Sequence, residues 1–175
     1  MSAISPLHRT ILLALLTAAA LAAAASASPA ATLVTCSGQQ TSTYQPGITT
    51  TSRQTTVAGS ETFDCASATH PSLAAATVTF SAVREYSCLS LLDGGPIART
   101  IAWSTGAGST LTGTSAVQIV DGQLVVVVTG TITAGLLRGA SAVEQITLVG
   151  ALDACDDTAG VSELEGPALL SVASL

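Results

Sequence analysis

Lysine and asparagine are both missing from the sequence, and aromatic side chains supply only 3% of its 175 residues. These two amino acids have the most A/T-rich codons, so their joint absence points to a GC-rich genome. Five arginines face eleven acidic residues, a net charge of −6. A surface of that sign repels phosphate backbones, which excludes nucleic acid as an expected partner. The scarcity of aromatics leaves little with which to build the platforms usual in sugar-cleaving clefts. Past residue 27 only His70 remains as an imidazole, so any Ser-His-Asp or Cys-His mechanism would have to use it. No Gly-x-Ser-x-Gly elbow and no Cys-x-x-Cys pair occurs, and no catalytic, cofactor or metal-ligand set is expected.

What is present begins with a leader. A short polar segment carrying Arg9 precedes an apolar run from Ile11 to Ala25, and Ala25-Ser26-Ala27-Ser28 follows. The run falls short of the roughly 20 residues a spanning helix needs and ends at a small-x-small site, which reads as a helical secretory signal peptide over residues 1–27. Leu33-Val34-Thr35-Cys36 looks like a lipobox, but Thr35 stands where Gly, Ala or Ser belongs and the box lies well past the apolar run. Acylating Cys36 would also leave an odd number of cysteines in an oxidising compartment. Residues 28–175 are therefore expected to form a single secreted, extracellular domain, with no transmembrane anchor after cleavage. Its only cations are Arg53, Arg84, Arg99 and Arg138.

Thr, Val, Ser, Gly and Ala dominate that domain, and β-branched side chains favour extended backbone because their crowded Cβ packs well on a pleated surface. Alternating segments predict strands near Thr32–Tyr44, Thr49–Val57, Ala76–Tyr86, Ala98–Ser104, Leu111–Val120, Gln123–Thr133, Ala142–Val149 and Pro167–Val172. Short strands at this spacing argue for an all-β sandwich or barrel. Pro46-Gly47, Asp93-Gly94-Gly95-Pro96 and Gly106-Ala107-Gly108 interrupt the extended runs as turns. Asp121-Gly122 is a strong two-residue hairpin signal, because both central residues of a type I′ turn need positive φ. Val117 to Val128 therefore reads as a hairpin. The four consecutive valines from Val125 abolish in/out alternation, which suits a central strand covered on both faces.

Cys36, Cys65, Cys88 and Cys155 all lie beyond the leader, so two disulfides are expected. Three connectivities exist, and Cys36–Cys65 with Cys88–Cys155 is favoured: the first pair flanks a hairpin centred near Gly47 to Thr51, and the second ties the middle of the domain to its last loop. Other candidate residues have plain structural explanations. His70 sits in Ser67-Ala68-Thr69-His70-Pro71-Ser72, a loop by virtue of its proline. Asp153, Asp156 and Asp157, with Glu163 nearby, are close enough in sequence to suggest calcium, but the spacing is not that of an EF-hand and a solvated acidic loop is the simpler reading. Trp103 with Tyr86 and Tyr44 suggests a small sugar-binding patch, yet Trp103 shares a strand face with Ile101 and reads as core. Threonines between Thr41 and Thr56 read as a solvent-facing strand surface, and Arg84-Glu85 and Arg138 as surface charges. Eleven acids can always supply two for glycoside hydrolysis, but no pair stands out.

Cys36-Ser37-Gly38, Thr43-Tyr44-Gln45-Pro46-Gly47, Ser87-Cys88-Leu89, Ile101-Ala102-Trp103 and Thr129-Gly130-Thr131-Ile132-Thr133-Ala134-Gly135 together resemble a largely uncharacterised group of small secreted, Ig-like β-sandwich proteins of high-GC Gram-positive bacteria. Cys88, Trp103 and Cys155 stand at spacings similar to those of an immunoglobulin domain, although Asp153 occupies the place of the tyrosine corner. The resemblance implies an immunoglobulin-like sandwich of about eight antiparallel strands and carries no catalytic signature. The expectation for function is a secreted, non-enzymatic binding module for an unknown extracellular ligand or cell-envelope component. The acidity and two-disulfide economy also resemble the neocarzinostatin-like apoproteins, which implies the alternative of a carrier for a small apolar ligand.

Overall fold

The computed structural model describes residues 31–150 and 152–174, so the expected signal segment 1–27 lies outside the described residues. Eight strands follow in order: β1 (Thr32–Ile48), β2 (Arg53–Ala66), β3 (Ala75–Tyr86), β4 (Gly95–Trp103), β5 (Gly108–Val120), β6 (Gln123–Gly135), β7 (Ser141–Leu148) and β8 (Val161–Ala173). Short 3-10 turns over Leu89–Leu92 and Leu152–Asp156 precede β4 and β8. Each strand pairs antiparallel with the next, and β8 returns to pair with β1 from Thr32↔Ala173 to Ile48↔Val161. The sheet is a closed up-and-down barrel.

Closure corrects the expected immunoglobulin-like sandwich. Both architectures give the same local signal, strands with one apolar and one polar face; what separates them is whether the last strand meets the first. The immunoglobulin spacing dissolves with it, because Cys88 caps a 3-10 turn and Cys155 lies in the other, neither on a strand. Trp103 pairs with Ala76 at the start of β3, whereas Cys88 follows the end of that strand.

Apolar side chains alternate into the barrel, and the outward face is mostly small and polar, with Val83, Ile119, Val143 and Leu169 exposed among them. Val34, Phe63, Val78, Ile101, Leu111, Ile132, Ile146, Leu170 and Val172 are almost wholly buried. An eight-stranded barrel has an interior just wide enough for side chains to fill. Trp103 fills one end, its indole Nε1 donating to Ser109 Oγ at 2.8 Å. Burying that donor without an acceptor would be costly, and Ser109 supplies one.

The β5–β6 hairpin turns at Asp121 (φ 50°) and Gly122 (φ 77°), as its sequence predicts. The valine run behaves differently from the expectation of two covered faces. Val126 and Val128 point inward, while Val125 and Val127 stay half-exposed on the outside, because a single-layer barrel has no second sheet to cover them. Pro167 sits inside β8 at the place where pairing with β7 lapses, between Ile146↔Ala168 and the lone bridge Val149↔Glu165. A residue without an N–H is tolerated where the ladder is already interrupted.

Cys36 is bonded to Cys65 and Cys88 to Cys155, the favoured pairing. The first bond staples directly paired residues of β1 and β2. The second joins the two 3-10 turns across one end of the barrel, where Cys88 N also donates to Thr49 O and Thr50 N to Cys155 O.

Candidate ligand-binding site

One seam of the barrel is incomplete. β3 and β4 pair only through Ala76↔Trp103, Thr77↔Ala102 and Val78↔Ile101, whereas β2 and β3 pair along their full length. Beyond Val78 the strands part, and a cavity of about 530 Å³ occupies the gap. Val57, Phe80, Ala82, Tyr86 and Ile97 give it an apolar wall, Arg99 stands in it, and Arg84, Glu85 and Asp93 edge it. The volume lies within the usual ~300–1,000 Å³ of small-molecule sites.

Arg99 enters the barrel because β4 alternates Ile97, Arg99, Ile101, Trp103 toward the interior. Its Nη1 donates to Glu61 Oε1 of β2 and, at 3.0 Å, to Glu144 Oε2 of β7. The two carboxylate side chains are 0% and 2% exposed and the guanidinium side chain 17%, so the carboxylates are sealed and the arginine is not. Phe80 supports the guanidinium, whose carbon lies 5.6 Å from the ring centroid. Gly59 makes room for that ring, since a Cβ there would sit 2.3 Å from Phe80 Cζ.

Two carboxylates and one arginine in a nearly dry interior do not balance. Burial, reinforced by the hydrogen bond and charge of Glu144, pushes the Glu61 carboxyl up to about 9 against the opposing pull of Arg99. The other groups beside Glu61 in register are Gln40 of β1 and Val78 of β3, neither of which titrates. Near neutral pH Glu61 therefore carries a proton. Glu61 Oε2 and Gln40 Oε1 are both buried acceptors without a partner, and they belong to register neighbours.

Sequence reading treats Arg99 only as one of four cations and singles out neither Glu61 nor Glu144. The available signal is a charge on the inward phase of a strand: Val57-x-Gly59-x-Glu61-x-Phe63, Ile97-x-Arg99-x-Ile101 and Ala142-x-Glu144-x-Ile146. The residues that sequence does single out are scattered. His70 lies in the β2–β3 loop, with Nδ1 2.9 Å from Thr69 Oγ1 and its N–H donating to Ser67 Oγ. Asp153, Asp156 and Asp157 cluster around the second 3-10 turn, and among the described residues no three metal-ligating side chains converge. Tyr44 and Tyr86 meet edge-on at 6.2 Å near the cavity, while Trp103 plugs the far end, so the three-aromatic patch does not form. Burial also pushes the Tyr44 hydroxyl upward, which keeps it neutral. Of the Thr-rich stretch, Thr43 and Thr56 face outward, but Thr55 is fully buried. Arg138 is exposed, as expected; Arg84 is exposed too, with its guanidinium 5.9 Å from the Tyr86 ring at the cavity edge.

No family model matches the sequence, and neither curated proteins nor solved structures give a match.

Proposed function

We propose that this chain is an exported, non-enzymatic binding protein that houses a small amphipathic molecule between β3 and β4. The observation that carries the reading is the three-pair β3–β4 ladder with a cavity of about 530 Å³ beside it. There the strands part and leave a partly apolar wall accessible in an otherwise closed barrel. This favours the carrier alternative over a module that binds through its outer face. Two disulfides are compatible with an extracellular location. No helix among the described residues is long and apolar enough to cross a membrane.

The non-enzymatic part rests on access. Glu61 and Glu144, the carboxylates brought together inside the barrel, sit behind Arg99 and do not line the cavity, while the acids that do, Glu85 and Asp93, stand at its edge and are not ion-paired among the described residues. A general acid or base must reach the proton it transfers, directly or through one water.

The uncharged fluorophore N-phenyl-1-naphthylamine tests the reading. Titration into the disulfide-bonded protein is expected to saturate at one probe per chain, and Ala82→Trp, which fills the cavity from β3, is expected to abolish the signal with an unchanged far-UV spectrum. Absence of saturable binding in the unsubstituted protein, or undiminished binding in A82W, counts against it.

A further inference from the structure

Arg99 is under-used. Both of its hydrogen bonds leave from Nη1, so Nε and Nη2 have no partner among the described residues. Neither nitrogen is among the buried atoms lacking a partner, and Arg99 lines the cavity, so this edge of the guanidinium remains accessible there. The Nε/Nη2 edge presents two parallel N–H groups, the fork that matches the two oxygens of a carboxylate.

From this edge and its apolar surroundings we infer that the cavity takes a monocarboxylic acid with an aliphatic or aromatic body. The acid group seats on Nε and Nη2 of Arg99, and the body lies against Val57, Phe80, Ala82 and Tyr86. The inference rests on the binding reading above and adds the chemical class of the ligand.

The surroundings of the fork favour a monoanion. Glu61 and Glu144 fix Nη1, so the fork is oriented before the ligand arrives and little side-chain entropy remains to be lost. With the Glu61 proton in place, Arg99 and Glu144 balance inside the barrel, and Arg84 at the edge offsets one of the two acids there, so a single carboxylate meets far less repulsion than a dianion. A dianionic head would be opposed by Glu144 below and by Glu85 and Asp93 at the edge. An amine head would face the guanidinium itself. Phe80 and its neighbours exclude water from one side of the pair, which strengthens a charge-assisted hydrogen bond relative to the same bond in solvent.

Dodecanoate, dodecanol and dodecylamine, compared by calorimetry below their micellar concentrations, separate the two levels of the argument. Dodecanoate is expected to bind at least about tenfold more tightly than the other two, a preference of about 1.4 kcal/mol. Arg99→Lys keeps the charge but removes the fork and is expected to lose most of that preference while still binding dodecanol. Because Arg99 substitutions leave carboxylates buried, Glu61→Gln serves as a second variant: it removes a competing carboxylate and is expected to retain the preference up to high pH, where the unsubstituted protein weakens. Equal affinity for acid and alcohol, or an unchanged preference in R99K, overturns the inference and leaves the carrier reading standing. Failure of all three amphiphiles to bind overturns both.

Discussion

Glu61 is kept neutral by its surroundings, and that makes the fold sensitive to alkali. Burial and the neighbouring Glu144 raise its pKa from 4.5 to about 9, with Arg99 pulling the other way. Between those values the folded chain holds a proton that the unfolded chain has released, so the slope of unfolding free energy against pH is negative. The Glu61 contribution is complete below 4.5 and is lost as pH rises through about 9. Arg99 from β4 and Glu144 from β7 are the charged groups facing it; Gln40 and Val78 flank it without charge. Glu61→Gln is expected to flatten the fall in thermal midpoint between about pH 6 and about pH 9. Parallel profiles for the variant and the unsubstituted protein would place the titration elsewhere. The same residue shows why the site is hard to read from sequence. An inward charge is visible as a break in alternation, but nothing local says that breaks on β2, β4 and β7 meet, because their encounter depends on closure of the barrel.

At the level of elements, the strands are legible and their ends less so. Each of the eight expected segments overlaps a strand, but residues 49–52 turn between β1 and β2, and β2 starts at Arg53 and runs on to Ala66 rather than stopping at Val57, since Gly59 and Glu61 occupy its inward positions and erase the apolar phase. β8 starts at Val161 rather than Pro167 for a related reason: Gly166 stands inward, and Glu163 and Glu165 crowd the outward phase. The disulfides divide the work unevenly. Cys36–Cys65 staples two strands that already pair along eleven residues, so the register survives without it. Cys88–Cys155 closes a loop of 67 residues and joins 3-10 turns held by few other bonds. Chain entropy assigns roughly 3.5 kcal/mol to the shorter loop and roughly 4.5 kcal/mol to the longer. The Cys88→Ser/Cys155→Ser pair is therefore expected to lose more stability in urea than Cys36→Ser/Cys65→Ser. It should also speed amide exchange in Leu89–Leu92, beside the cavity. A larger loss from the Cys36–Cys65 pair would show that the β1–β2 ladder depends on its staple.

For the whole molecule, the decisive contact joins opposite ends of the chain: Cys36 pairs with Leu170, and Thr43 with Glu163. Alternation within a strand says which face is buried but not which strand lies alongside, so a sandwich and a barrel are indistinguishable until this pairing is known. In a sandwich β1 and β8 would each have a free margin, with a row of backbone N–H groups open to solvent. In the barrel those groups donate across the seam, and separating β1 from β8 exposes the core on both sides. Opening the seam should therefore cost nearly as much as unfolding the barrel, and its amides should exchange only through that global event. Hydrogen exchange is expected to give β1 amides from Cys36 to Thr41 and β8 amides from Ala168 to Val172 protection equal to that of the paired core of β5 and β6. β4 amides before Ile101, which lack a β3 partner, should split by side: those bonded to β5 protected, those facing the gap fast. Fast exchange along β1 and β8 would mean an open sheet in solution. It would also remove the geometry that brings Glu61, Arg99 and Glu144 together.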